Sequence, residues 1–213
     1  MGKTVDRVCR SVLTACHPRR VHEPSIDPYV AWTLDMARAS AAVANYCDHV
    51  EHNEPADRDW ITAAALTVRQ IAVAIAAHEN QDLIELYAAR LRQIERRNPL
   101  WTEDELDGGE LVLNATSWRA VQLAQVEHDR RYHPDVIGLT KLEQLRHYAL
   151  HLSKLVGAVA EIAAGTGDRA QFEIRRLPDL LLFGVKLSTV TGQRLPDGAL
   201  PRTGRLVGVG FGS

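Results

Sequence analysis

The segment TKLEQLRHYALHLSKLVGAVAEIAAG, residues 140–165, decides the fold. Thr140 followed three residues later by Glu143 has the spacing of a capping box, in which each residue satisfies an orphan donor of the other at a helix start. From there Leu142, Leu145, Ala149, Leu152, Val156, Val159 and Ala163 recur at alternating steps of three and four. That is the a/d seam of a helix that must bury one side against a neighbour. Gly165-Thr166-Gly167 stops it, so the spacing predicts a helix to about 164. The seam would face either an internal neighbour or a second copy of the chain.

Downstream, residues 168–191 carry Leu177, Leu180, Leu181, Phe183, Val185 and Leu187, which predicts a second helix folding back as an antiparallel αα-hairpin. Pro178 lacks an amide donor and predicts a kink or a restart there. Upstream, Thr116 or Ser117 caps a helix from 118 to about 132 that closes at His133-Pro134-Asp135. Asp27 with Pro28 opens a helix to about 49. An alanine-rich helix over 60–78, apolar round much of its circumference, is expected to be packed on several sides. A helix over 81–97 ends at Arg96-Arg97-Asn98-Pro99, and a short one is read over 5–15. The acidic Glu103-Asp104-Glu105 and the Gly108-Gly109 pair interrupt the pattern, placing the main internal boundary between 100 and 114. The expected organisation is an all-α multi-helix bundle with an antiparallel C-terminal hairpin. It divides into an N-terminal helical region 1–98, a second helical region 115–195 and a flexible tail 196–213.

Composition agrees. Of 213 residues 46% are hydrophobic and 24% charged, the balance of a globular chain, while aromatics are only 6%, which disfavours sheets. A net charge of -2 gives no global field toward polyanions, and no nucleic-acid-binding signature accompanies the four arginine pairs, which sit mostly near predicted helix ends. The uncharged stretch around 71–77 is short for a membrane span, and the first sixteen residues lack a leader's apolar core. The expectation is a cytoplasmic protein without membrane contact. Three cysteines, Cys9, Cys16 and Cys47, form no disulfide framework. With His17, His22, His49 and His52 they could hold zinc, but not at finger or ribbon spacings. The plainer reading is reduced thiols in the core.

The runs Leu152-Ser153-Lys154-Leu155-Val156-Gly157-Ala158-Val159-Ala160-Glu161, Arg176-Leu177-Pro178-Asp179-Leu180-Leu181-Leu182-Phe183 and Lys186-Leu187-Ser188-Thr189-Val190-Thr191-Gly192 resemble the central helix pair of MazG-like all-α nucleotide pyrophosphohydrolases, over roughly 142–197. That family holds magnesium with E-E-x-x-E and E-x-x-D motifs and assembles by helix pairing. In the register set by Gly157 the first motif's glutamates fall on Lys154, Leu155 and Ala158, and the second motif's on Arg176. Asp179 keeps the aspartate, and Glu161 matches a further acidic position. The resemblance thus implies a homo-oligomeric helical module with a degenerate motif, binding a nucleotide or a protein partner, with Lys154, Arg176 and His151 facing an anionic ligand. The cofactor is left open. The alternative is a metal-dependent nucleoside triphosphate pyrophosphohydrolase using Mg2+ or Mn2+, with Glu161 and Asp179 as catalytic and metal residues, helped by Glu127, Asp129 or Glu143. Against both stands the plain possibility that Lys154 and Glu161 are solvated and that Asp179 pairs with Arg176.

A separate constellation comes from the residues themselves. His147 and His151 are i, i+4 on the helix over 141–164, a spacing suited to a transition metal. The reading puts them on the face opposite the seam, in a stripe with Lys154, Ala158 and Glu161. His128, Asp129, His133 and Asp135, at the preceding turn, would complete a site if that turn folds over the stripe. Otherwise they are ordinary surface and helix-terminal histidines.

Overall fold

All the long helices but the last begin where a side chain takes over amides that the helix leaves unpaired. The computed structural model describes residues 27–97 and 107–200. In it Asp27 accepts from Tyr29 N at 2.7 Å at the head of α1, Pro28–Glu51. Asp57 caps α2, Arg58–His78, and Asp82 accepts from two amides at the head of α3, Leu83–Arg97. Ser117 caps α5, Trp118–Tyr132. Thr140 and Glu143 form the expected reciprocal box at the start of α7, Lys141–Ala163. The shorter elements are α4, Gly108–Leu113; α6, Pro134–Ile137; and α8, Arg169–Gln171, which leads through a π-helical turn, Phe172–Arg176, into α9, Leu177–Val190. The protein is all-α: among the described residues the only β pairing is an isolated bridge between Ser117 and Ala199.

Four long helices close a ring in which α1 packs on α2 and α7, and α9 packs on α2 and α7. Glu51 pairs with Arg146 while Ser40 meets Ser153, so α1 and α7 run antiparallel. His151 stacks on Phe183 and Tyr148 lies by Lys186, so α7 and α9 do too. The C-terminal hairpin therefore exists, but its two helices are not each other's main partners. The more extensive contact of α7 is with α1, and that of α9 is with α2. On its other side α9 meets α3 and α5, which is why all of Leu177 to Ser188 is buried. Residues from both sides of the 100–114 interruption, such as Ile75, Leu91, Leu152 and Leu181, join one continuous core cluster.

Three local departures from expectation have physical causes. The buried face of α7 is Leu145, Tyr148, Leu152, Leu155, Val159 and Ile162. It shares the expected seam at Leu145, Leu152 and Val159 but swaps Ala149, Val156 and Ala163 for the residues just before them. Tyr148 turns to Phe183 of α9, and on the other flank Ser153 meets Ser40 of α1 within 3.3 Å. Gly108-Gly109 open a helix instead of breaking one. A Cβ on Gly109 would lie 2.7 Å from the Ala88 carbonyl, and one on Gly108 2.7 Å from Glu95 Oε1, so only glycine lets α4 sit this close to α3. Finally, Pro178 restarts the last helix: the chain widens so that Leu177 N bonds to Phe172 O, five residues back, and Pro178 falls in the first turn of α9.

After α9, Gly192 takes φ +76° and the chain returns along α5. Leu195 is buried, and Arg119 N donates to Pro196 O at 3.1 Å, so the segment expected to be a loose tail is held at least as far as its bridge at Ala199. α2 is long and apolar enough to cross a bilayer by length and composition, Arg69 being the one charged residue between Trp60 and Ala77. Here it is a core helix, with Arg69 buried against Ser188 of α9. The helix read over 5–15, Cys9, Cys16, His17, His22, Glu103-Asp104-Glu105 and the glycine-rich end lie outside the described residues.

Candidate metal centre

Where α3, α5, α7 and α9 meet, the apolar core gives way to a chain of ionisable groups. At its inner end is His128 on α5, whose side chain is 0% exposed. Its Nε2 lies 3.7 Å from Glu95 Oε1 on α3, and its Nδ1 3.8 Å from Asp129 Oδ1. Among the described residues neither ring nitrogen has a hydrogen-bond partner, a cost of about 1–3 kcal/mol for a buried polar group. Glu95 is fixed by the Gly108 amide, which donates to Oε1 at 2.9 Å. Burial holds its carboxyl above the usual range, against the pull of that amide and of His128.

Asp129 is the hub. Oδ1 accepts from Gln125 Nε2 at 2.8 Å and pairs with Lys186 Nζ of α9, also at 2.8 Å. Tyr87 donates to Gln125 Oε1, which fixes the amide's orientation. Burial alone would raise the Asp129 carboxyl, yet the Lys186 ammonium, with help from His128, brings it below its ordinary range. The next residue toward solvent is His133, in the turn between α5 and α6. Ligand atoms of His128, Asp129 and His133 all lie within 4.8 Å of one another. Burial, then the Lys186 charge, lowers His133 to about 4.

The mouth is made by α7. His151 stacks on Phe183 with centroids 4.5 Å apart, and its ring is 4.7 Å from that of His147. Burial, then His147, Lys154 and Lys186, lowers His151 to about 4, and burial followed by Lys186 lowers His147 as well. Both rings are half-buried, and Asp135 acts electrostatically on His147 and His133. The α5–α6 turn is thus close enough to the histidine stripe to share its field. The stripe is not opposite the core: His147 and His151 flank it, on the side of α7 that meets α9.

The residues carried by the family resemblance are placed differently. Asp179 is buried and bound by Arg90 of α3, Nε to Oδ1 at 2.6 Å and Nη2 to Oδ2 at 3.3 Å, so its partner is Arg90 and not Arg176. Glu161 is exposed in the last turn of α7, where its carbonyl accepts from Thr166 and Gly167. Lys154 is exposed and Arg176 half-buried in the π-helical turn. A carboxylate already held by a guanidinium and another on the surface do not fit a magnesium site of the family type. Glu127 is engaged by Arg130 and Arg131, and Glu143 by the Thr140 cap. Of the cysteine-histidine group, Cys47 is a buried core residue, while His49 and His52 bond to the Pro55 and Asp48 carbonyls.

Sequence reasoning passed over Lys186, Glu95, Gln125 and Tyr148. One signal was present: Lys186 is the lone charge in Leu180–Val190, an otherwise apolar stretch with only Ser and Thr as polar company. A charge there must have a buried partner. No family model, curated protein or solved structure matches this chain.

Proposed function

We propose that the chain is a divalent-transition-metal protein whose ion is held by His128, Asp129 and His133. The observation that carries this is the pair of unpartnered nitrogens on a fully buried imidazole, set between two carboxylates. A ligating histidine characteristically gives its other ring N–H to a carboxylate. Here Nδ1 faces Asp129, and Nε2 faces Glu95, which is itself oriented by the Gly108 amide. Two imidazoles and one carboxylate suit zinc, iron, manganese, cobalt or nickel better than magnesium. Ligand atoms round one such ion sit about 3–3.5 Å apart for bonds of about 2.0–2.2 Å. Side-chain rotation of roughly 1 Å would therefore assemble the set.

Three protein ligands leave coordination positions open, the pattern of an ion that acts on a bound molecule. The resemblance to nucleotide pyrophosphohydrolases suggests a phosphoanhydride as that molecule, reached through this centre and not through Glu161 and Asp179. Elemental analysis of protein purified without chelator, and calorimetric titration with Zn2+ and Mn2+, test the first claim. One equivalent is expected, lost in His128→Ala and His133→Ala; no ion as purified and no stoichiometric uptake overturns it. Pyrophosphate release from a panel of nucleoside triphosphates tests the second. The expectation is turnover that needs His133 and is indifferent to Glu161→Gln, and the absence of turnover with the ion bound leaves a metal-binding protein without this activity.

A further inference from the structure

Lys186 makes an odd neighbour for a metal ligand. Its ammonium lies 2.8 Å from Asp129 Oδ1 with 7% of the side chain exposed, so it stands where a cation on that carboxylate would repel it. A divalent ion and an ammonium on one oxygen are like charges a few ångströms apart in a poorly solvated site. Lysine carries its charge on a four-carbon flexible stem, so its ammonium can exchange one partner for another within reach. Lys186 Nζ is already 6.0 Å from the centroid of Tyr148 and 5.8 Å from that of Phe183. His151 stacks on Phe183 and its ring is 4.7 Å from that of His147, with Lys154 three residues further along α7.

We infer that Lys186 is an exchangeable partner of Asp129: when a metal takes the carboxylate, the ammonium swings to the mouth and, with His151 and Lys154, holds a phosphate-type oxyanion beside the ion. Binding is then ordered, metal before anion. Without metal, Asp129 neutralises Lys186 and the mouth attracts anions weakly; with metal, a free ammonium and open coordination positions face the same space. Coupling between two ligands is reciprocal, so the anion must tighten the metal by the factor by which the metal tightens the anion. This inference rests on the metal centre proposed above.

The test uses the full chain and inorganic phosphate, titrated calorimetrically into chelator-treated and Mn2+-loaded protein. Phosphate affinity should rise at least about tenfold with Mn2+, and saturating phosphate should tighten Mn2+ by a matching factor. Lys186→Gln, checked by circular dichroism, should keep or tighten Mn2+ and lose the phosphate gain. Tripolyphosphate and ATP added in parallel separate recognition of phosphate alone, where the two bind equally, from recognition of a nucleotide, where ATP binds more tightly. If Mn2+ binds while phosphate affinity is the same with and without it, the inference fails and the metal centre stands. If Mn2+ does not bind at all, both fail. The wild-type linkage decides the matter even where Lys186→Gln does not fold.

Discussion

Lys186 of α9 and Asp129 of α5 form an ion pair at 2.8 Å with less than a tenth of either side chain exposed, in a stretch of α9 that is otherwise mostly leucine, valine and phenylalanine. Such a pair is weak evidence of net stabilisation, because desolvation of both charges offsets their attraction, but removing one partner leaves the other buried and uncompensated. Metal-free Asp129→Ala should therefore lose about 3–5 kcal/mol in urea denaturation. The double variant Lys186→Met/Asp129→Leu should recover most of that loss. Equal losses in the single and double variants would mean that the pair is not what the core depends on.

Arg90 and Asp179 make the same argument from a different helix. The bidentate contact ties α3 to the first turn of α9, and both side chains are close to a tenth exposed or less. Asp179→Ala is expected to cost about 3–5 kcal/mol and Arg90→Met/Asp179→Leu much less. The comparison separates scaffold from chemistry: a fully folded Asp179→Ala with a normal melting temperature would return Asp179 to the list of candidate ligands.

Glu95 and Gly108 are expected to act on the metal through His128. Glu95→Gln removes the carboxylate that faces Nε2, and Gly108→Ala puts a Cβ 2.7 Å from Glu95 Oε1 and 2.9 Å from His128 Cδ2. Loss of an outer partner of a ligating histidine typically weakens metal binding about 10- to 100-fold. Glu95→Gln should show that loss in Zn2+ titration with little change in thermal stability. Unchanged affinity in both variants would mean that Nε2 needs no carboxylate.

The helices were legible because their causes are local: Asp27-Pro28, Ser117 and the Thr140–Glu143 box all cap where their chemistry says they should. What did not show was which helix each apolar face meets. The stripe on α7 is wide enough that Ala149 and Tyr148 are both plausible core positions, and only the close approach of α1 on one flank and α9 on the other settles the choice. Placing the seam one residue off put His147 and His151 on the wrong face. The residues His128, Asp129 and His133 could be picked out from their types and their turn. The partners of Glu95, Gly108 and Lys186 could not, since these lie 33 and 20 residues before His128 and 57 after Asp129, and only packing brings them together.

The spacing of α2 and α9 should be set by Gly184. A Cβ there would come within 2.6 Å of Arg69 Cγ and 3.2 Å of Arg69 N, and the second contact is with backbone, which cannot swing aside. Gly184→Ala must push the two helices apart or displace the Arg69 side chain from Ser188. Overpacking of this kind costs about 1–3 kcal/mol, more than alanine regains by its better helix propensity. A melt of the variant checks this, and an unchanged or raised melting temperature would mean that α2 can shift along α9 at no cost.

Acid should weaken the metal-free fold through His151. Its imidazole is lowered from 6.5 to about 4 by burial first and then by His147, Lys154 and Lys186. The groups that face it are Phe183 and Lys186 on α9, His147 and Lys154 on α7 and His133 from the turn after α5, and none of them is an anion. In the unfolded chain the ring takes its proton near 6.5, whereas in the folded chain it resists until about 4. Between those values the unfolded state binds more protons, so stability rises with pH across the window. The contribution is complete above about 6.5, declines as pH falls toward 4 and is gone below it. Urea midpoints measured with chelator from pH 7.5 to 4.5 should fall, and His151→Leu, which keeps an apolar contact on Phe183, should show a shallower fall. An identical slope in the variant would assign the acid sensitivity to other groups and leave His151 a ring that titrates as it does in water.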